Sequence, residues 1–177
     1  NIINSEGVVM DTMEEKNGIS SNIIMNIKED KKREGIWIGT YNGGLNFYKK
    51  GNILKWDKND GLPHSYVRRI KILKNGNVAL ALPKGICFYN DSVFYTPSVT
   101  ENLNVFSFEE LENDTLILGT ETGLYKLYGD SIFRTPLDKE LNNIRIMHLT
   151  KLHDGRISVA SEIGLYLIDY HGGIVKR

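Results

Sequence analysis

The chain has 177 residues, 41% hydrophobic and 25% charged, which is the composition of an ordinary folded domain and not of a disordered or collagen-like chain. Its 22 basic and 22 acidic residues cancel, so no net field steers polyanions, and neither nucleic acid nor an anionic membrane surface is an expected partner. No apolar run approaches the roughly 20 residues of a membrane span, and the single Cys87 cannot form an internal disulfide. The chain opens Asn1-Ile2-Ile3-Asn4, without methionine, basic n-region or cleavage site, and is read as a piece of something longer that meets a membrane only through absent segments.

Self-comparison shows a period of about 40 residues, the mark of a propeller or solenoid. The segments Ile36-Trp37-Ile38-Gly39-Thr40, Val78-Ala79-Leu80-Ala81-Leu82, Leu116-Ile117-Leu118-Gly119-Thr120 and Ile157-Ser158-Val159-Ala160-Ser161 share apolar flanks and a small fourth residue. Each leads to a glycine before Leu or Ile, at Gly44, Gly85, Gly123 and Gly164, spaced 41, 38 and 41 apart. An apolar pair precedes each segment: Ile24 and Ile27, Val67 and Ile70, Val105 and Phe108, Ile146 and Leu149. Asn75-Gly76, Asn113-Asp114 and Asp154-Gly155 predict type I′ hairpins between pair and segment, and the first repeat has a longer charged turn from Asp30 to Gly35. A fourth strand is predicted at Asn52 to Asp57, Ser92 to Thr96, Ser131 to Thr135 and Gly173 to Arg177.

Four short antiparallel strands per repeat make a propeller blade. Helical solenoids are excluded, because β-branched and aromatic residues crowd short segments and no 3.6-residue period persists. The small fourth residue suits the crowded axis where blades converge, and the glycine before the third strand suits a positive-φ corner. The fold class is therefore all-β: a β-propeller fragment of about four blades plus one leading outer strand. Residues 1–16 are the outer strand of a preceding blade, since Ser5 to Met13 resemble Lys50 to Trp56. Blade 1 is 17–60, blade 2 is 61–101, blade 3 is 102–140 and blade 4 is 141–177. An open row of four blades leaves two apolar faces uncovered. The expected cover is further blades from missing sequence, another fragment, or a second copy as in an eight-bladed ring; a closed four-bladed ring is the alternative.

The stretch Ile36-Trp37-Ile38-Gly39-Thr40-Tyr41-Asn42-Gly43-Gly44-Leu45, preceded by Asn22 to Asp30, resembles the two-component regulator propeller repeat, and Gly61-Leu62-Pro63-His64-Ser65-Tyr66-Val67 matches that repeat's opening. Repeats two to four depart from it: Ala79, Ile117 and Ser158 stand at the Trp37 position, and the Gly-Thr pair persists only as Gly119-Thr120. The Gly-His to Trp-Asp pairing of WD repeats is absent, and the double glycine of kelch repeats occurs only at Gly43-Gly44. The resemblance implies an extracytoplasmic, periplasmic or cell-surface, sensor region of bacterial signalling receptors, relaying to kinase, response-regulator or diguanylate cyclase outputs not in this chain.

One position before the second apolar residue of each pair stand Asn26, Arg69, Ser107 and His148, and two residues on stand Lys28, Lys71, Glu109 and Thr150. Strand alternation puts both series on the face lining the central channel, either as ligand hydrogen-bonding groups or as the wall of a water-filled axis. The loops joining second to third strands and blade to blade open on one common face. They carry Tyr41, Asn42, Lys84, Glu121 and Glu162, and His64, Ser65 and Tyr66, and their aromatic and amide side chains suit a saccharide.

The four histidines, His64, His148, His153 and His171, have no metal-ligand spacing, so no metal or cofactor is expected. Asp57-Lys58-Asn59-Asp60-Gly61 fails as a calcium loop, because its glycine is one position early and Arg68 stands where a closing glutamate belongs. Cys87 reads as packing, Trp37 as core and Trp56 as outer-strand packing. Glu109 and Glu110 point to opposite faces of a strand and cannot act as an acid-base couple. The expected function is a non-enzymatic small-molecule sensor segment; the alternatives are a protein-interaction scaffold and, last, a propeller lyase or glycosidase.

Overall fold

Short β-branched segments broken by turn residues cannot bury both faces of a sheet within one repeat, so each sheet must find its cover in the next. The computed structural model, which describes residues 2–135, 141, 143–169 and 174–176, shows how this is met. Four four-stranded antiparallel sheets follow one another along the chain. Blade 1 holds β3 (Ile24–Asp30), β4 (Gly35–Thr40), β5 (Leu45–Lys49) and β6 (Asn52–Trp56). Blade 2 holds β7 (Arg69–Ile72), β8 (Val78–Ala81), β9 (Ile86–Tyr89) and β10 (Phe94–Tyr95). Blade 3 holds β11 (Val105–Glu110), β12 (Thr115–Thr120), β13 (Gly123–Tyr128) and β14 (Ser131–Arg134), and blade 4 holds β15 (Ile146–Lys151), β16 (Ile157–Ser161), β17 (Gly164–Ile168) and β18 (Ile174–Lys176). In every sheet the strand order follows the chain, with the first strand innermost. The architecture is an all-β, open row of propeller blades.

Before blade 1 lie two strands instead of the single outer strand expected from the sequence. β1 (Ile2–Ile3) pairs with β2 (Val9–Asp11) in a hairpin of its own. The Asn4 side chain closes it by accepting from the Glu6 and Val8 N–H groups, a local competition for backbone donors that strand periodicity does not reveal.

Three apolar layers hold the blades together, one in each gap. Between blades 1 and 2, Trp37, Leu45 and Phe47 meet Val67, Ile70, Val78 and Leu80. Between blades 2 and 3, Ala79, Ala81 and Ile86 meet Val105, Phe108, Leu116 and Leu118. Between blades 3 and 4, Leu111, Ile117 and Leu124 meet Ile146, Leu149, Ile157 and Val159. The apolar pair that opens each repeat is fully buried in blades 3 and 4, but in blade 1 Ile27 is 62% exposed. Conversely Leu165 of blade 4 is 60% exposed where Leu45, Ile86 and Leu124 are buried. The leading face of blade 1 and the trailing face of blade 4 thus repeat the internal interfaces without their partners.

The small fourth residue of the second strand has the steric role expected of it. A Cβ on Gly39 would lie 2.8 Å from Val67 Cγ1 and 2.9 Å from Val67 O, and one on Gly119 would lie 2.7 Å from Ile146 Cγ2. The backbones meet there because the Val67 N–H donates to the Thr40 carbonyl at 3.0 Å, as Val105 does to Leu82 at 3.1 Å. The corner glycines keep their positive φ, 83° at Gly44 and 86° at Gly85. The hairpin expectation needs correction: Asn113 and Asp114 both have positive φ, as type I′ requires, but at Asn75-Gly76 and Asp154-Gly155 only the glycine does. There the N–H of the glycine returns to Leu73 or Leu152, and one extra residue fits a glycine bulge.

Blade 1 is also pinned by a buried charge. Asp30 accepts from the Trp37 indole at 2.9 Å and from Arg33 at 2.7 Å. Burial works against its carboxylate, but these donors and the Arg33 backbone N–H together hold its pKa below the ordinary value. Because the folded-state pKa is depressed, this stabilisation is present above the carboxylate's unfolded pKa and is lost as pH falls through the folded one.

Two measurements check the packing argument. Gly39→Ala, which confronts backbone, should destabilise by about 2–3 kcal/mol in chemical denaturation, and Gly119→Ala, which confronts a side-chain methyl, by about 1 kcal/mol. Asp30→Ala should cost about 3 kcal/mol at neutral pH, because it strands the indole N–H and removes one of the two carboxylates holding the Arg33 guanidinium.

Candidate functional site

The upper face, formed by the loops joining second to third strands and blade to blade, rests on a repeated irregularity. In blade 1, Ile24 pairs with Thr40 and Asn26 with Gly39, so Met25 bulges out of register. Phe106 is skipped in the same way between Val105 and Ser107, and Met147 between Ile146 and His148. Arg68 takes this place in blade 2, where its N–H and residue Arg69 share Ala81 as partner. A bulge breaks two-residue alternation, so the residue before each channel position is not returned to the blade interior.

The consequence is a ladder of rings and guanidinium groups crossing all four blades. Tyr41 meets Tyr66 edge-on, with centroids 4.8 Å apart. The Arg68 guanidinium lies 4.8 Å from the centre of the Tyr66 ring and 4.2 Å from that of Phe106, and the Arg145 guanidinium lies 5.8 Å from the centre of the Phe106 ring. Among the described residues Arg68 donates only to neutral acceptors, Asn104 Oδ1 and the Val105 carbonyl, so none of them neutralises its charge by contact. Asn104 in turn donates to Glu121 at 3.0 Å, and Arg145 donates to the other Glu121 oxygen at 3.1 Å. These hydrogen bonds, Asn104 first, hold the Glu121 carboxyl below its ordinary pKa. Glu162 accepts from the Arg145 N–H. The Nε atoms of Arg68 and Arg145 are buried without a partner among the described residues.

Of the loop residues singled out from sequence, Tyr41 and Tyr66 are in contact, and Glu121 and Glu162 converge on Arg145. His64 Nδ1 accepts from the Tyr66 N–H at 3.0 Å; burial, and then the charges of Lys58, Arg68 and Lys84, push its pKa down. Asn42, at φ 63°, lines with Ser65 a recess of about 480 Å³ beside Lys58 and Asn59. Lys84 is exposed. The ladder residues Arg68, Phe106, Asn104 and Arg145 were missed by sequence reasoning. Their only signal was position: Asn104 and Arg145 stand just before an apolar pair, as Ile23 and Tyr66 do, and Arg68 and Phe106 just after its first member, places that become informative once the bulge is known.

The channel residues divide into two groups. Asn26 Oδ1 accepts from the Ile70 N–H at 3.1 Å and Ser107 Oγ from the Leu149 N–H at 3.0 Å, so both clasp the next blade's inner strand. Arg69, Lys71, Glu109 and His148 instead form a network spanning blades 2 to 4. Arg69 donates to Glu109 at 2.9 Å and to His148 Nε2 at 2.9 Å, and Lys71 bonds the second Glu109 oxygen. Burial and the Arg69 charge depress the His148 pKa, outweighing Glu109, so His148 is held as the neutral acceptor. Lys28 and Thr150 are exposed.

Other polar features have structural roles. Asp57 and Asp60 form a reciprocal capping box around the 3-10 turn Lys58–Asp60, ending at Gly61 with φ 91°. Glu14 and Asn17 repeat it one blade earlier. The hydroxyls of Thr40, Thr120 and Ser161 each donate to the carbonyl of the corner glycine at 2.9 Å, which explains the residue after the small fourth position. Cys87 is fully buried, and burial pushes its thiol up to about 11. Among the described residues no three His, Cys, Asp or Glu gather to hold a metal ion. His171 lies outside the described residues.

No protein-family model and no curated protein sequence matches the chain. Solved structures do. The extracellular domain of BT4673 from B. thetaiotaomicron, titled as belonging to a one-component system, superposes with a TM-score of 0.72 at 20% identity, over 87% of this chain and 22% of that one. The extracellular domain of the hybrid two-component system BT3049 from the same organism gives 0.69 at 16%, over 89% and 22%. An inactive H270A virginiamycin B lyase from Staphylococcus aureus, with quinupristin, gives 0.73 at 15%, over 98% and 60%. The chain spans about a fifth of the length of the two extracellular domains. At these identities the likeness establishes the class, a β-propeller, built from the same sheet succession in sensor domains and in lyases alike.

The histidine environments make stability fall as pH drops below the ordinary imidazole value of 6.5. The unfolded chain takes up protons there while the folded protein keeps His64 and His148 neutral, which favours unfolding. His148→Gln should flatten the dependence of unfolding free energy on pH between about 7 and about 5. An unaltered slope would refute the assigned environment.

Proposed function

We propose that this chain is the ligand-recognising propeller segment of a bacterial signalling receptor outside the cytoplasm, and that it binds a saccharide on its upper face without turning it over. The observation that carries this reading is the ladder Tyr41–Tyr66–Arg68–Phe106–Arg145, with the amide of Asn104 along its side. Aromatic faces stack on sugar C–H groups, and guanidinium and amide forks serve hydroxyls or a sugar carboxylate. The sequence resemblance and the fold shared with extracellular domains of two-component systems support the receptor setting. An acid-base couple is not part of the reading, because Glu109 is clamped between Arg69 and Lys71 and Glu121 between Asn104 and Arg145.

The two open blade faces belong to the same reading. Ile24 and Ile27 on one side and Leu165 on the other occupy positions that elsewhere meet a neighbouring blade. We assign their cover to further blades of the same repeat, since the three internal layers already show what surface each face is shaped to meet.

A second reading, a protein-docking propeller, is favoured by one feature: at the rim Glu121 and Glu162 are already engaged by Arg145. The two readings separate in a thermal-shift screen across neutral and acidic oligosaccharides followed by calorimetry. Binding to the folded state raises the melting temperature, and Tyr41→Ala, an exposed position, should weaken the hit about tenfold or more with the melt of the free protein unchanged. A panel without any shift, or a hit indifferent to Tyr41→Ala, would overturn the saccharide site.

A further inference from the structure

On the lower face, made by the hairpins joining first to second and third to fourth strands, the cleft between blades 1 and 2 differs in its filling from the cleft between blades 2 and 3. The cleft between blades 1 and 2 is filled by the chain itself. Arg33 grips Asp91 through both carboxylate oxygens, at 2.6 and 2.9 Å, and donates to Asp30 at 2.7 Å and to the Gly76 carbonyl at 3.0 Å. Its guanidinium lies 5.9 Å from the centre of the Trp37 ring. A planar cation held by two carboxylates and an aromatic face is the arrangement arginine makes best.

The cleft between blades 2 and 3 lacks this filling. Ala79 pairs with Lys71 as Trp37 pairs with Lys28, so a methyl stands where the indole does. The hairpin after Leu73 is one residue shorter and carries Asn75-Gly76 in place of the Arg33 turn. A cavity of about 450 Å³ results, with Leu73, Phe88, Leu116 and Leu127 on its walls. Yet the acceptors remain. Asp130 stands in Tyr128-Gly129-Asp130-Ser131 where Asp91 stands in Tyr89-Asn90-Asp91-Ser92, and it lines the cleft. Asp114 lines it from the turn corresponding to Gly76, with no side-chain partner among the described residues. Glu110, only 8% exposed, lines it too; both its oxygens accept from the Lys74 N–H at 3.1 Å. No cation lies within ion-pair distance of any of the three among the described residues, and the Lys74 ammonium turns to the Leu111 carbonyl.

We propose that this cleft is a docking site for an arginine side chain of a partner polypeptide, which takes the place that Arg33 takes one blade earlier. The three carboxylates supply charge that the chain does not balance locally, and the apolar walls suit the methylene stem. Phe88 and Tyr95, stacked 6.5 Å apart at 24°, extend the apolar side, and the Tyr95 hydroxyl bonds Asp130 and orients it. Lysine fits less well, since an ammonium cannot grip a carboxylate in two parallel bonds. The site lies on the face opposite the aromatic ladder and stands independently of the saccharide reading.

The test is a titration of the 177-residue chain with acetyl-Gly-Arg-Gly-amide, its lysine counterpart and its neutral, isosteric citrulline counterpart, followed by NMR shifts at Leu73, Phe88 and Leu116. The arginine peptide should bind, the citrulline peptide about tenfold or more weakly, and affinity should fall with added salt. Asp130→Asn and Glu110→Gln should each weaken the arginine peptide about tenfold; Gln keeps an acceptor for the Lys74 N–H, and the exposed Asp114→Asn serves if Glu110→Gln impairs folding. Asp91→Asn, in the filled cleft, should leave peptide affinity unchanged. Equal binding of the citrulline peptide, indifference to Asp130→Asn, or shifts confined to the upper face would each overturn the assignment. Agmatine binding as tightly as the peptide would place a free alkylguanidinium there and overturn the polypeptide source.

Discussion

Everything in this molecule depends on the approach of each blade's inner strand to the second strand of the blade before it. Val67 reaches Thr40 by a main-chain hydrogen bond and presses on Gly39, and Ile146 presses on Gly119 in the same way. That approach aligns the apolar pairs with the trailing face of the preceding sheet and closes three buried layers. Side chains at the axis are therefore spaced by backbone contact, not by their own packing. It is why Asn26 and Ser107 can span the gap to main-chain N–H groups in the next blade.

The same constraint produces the upper face. To turn inward at the axis each inner strand carries one surplus residue, and the surplus residue emerges at the channel mouth. In blades 2 and 3 that residue is Arg68 and Phe106, and their contact links Tyr41 and Tyr66 to Arg145. The repeat supplies a rigid frame, and departures from the repeat supply the chemistry. The lower face follows the same logic with the opposite sign. Blade 1 matches the repeat most closely and fills its own cleft with Trp37 and Arg33, while blade 2, with Ala79 and a shorter hairpin, leaves its cleft open and acidic.

Much of this was legible in the residues. Glycine spacing, the apolar pairs and the turn residues suffice for four sheets of four strands, since each is a local preference repeated four times. Buried Trp37 and Cys87 were likewise readable, whereas the capping box of Asp57 and Asp60 was not. The leading hairpin was not, because strands of two and three residues are too short for periodicity and are closed by the Asn4 side chain. Two of the three expected type I′ turns were not either, since Asn-Gly and Asp-Gly also serve a glycine bulge, and strand register decides between them.

The sequence alone determined the architecture: a four-fold hydrophobic pattern with glycine at each corner admits no other way to bury alternate faces than sheets fanned about an axis. Only the tertiary structure decided which polar residues work together. Arg69 with Glu109 and His148, Arg68 with Phe106, and Arg33 with Asp91 are 38 to 79 residues apart and in different blades. Their meeting depends on the bulges and on blade-to-blade register, quantities set by backbone hydrogen bonds between sheets and written in no single segment of the chain.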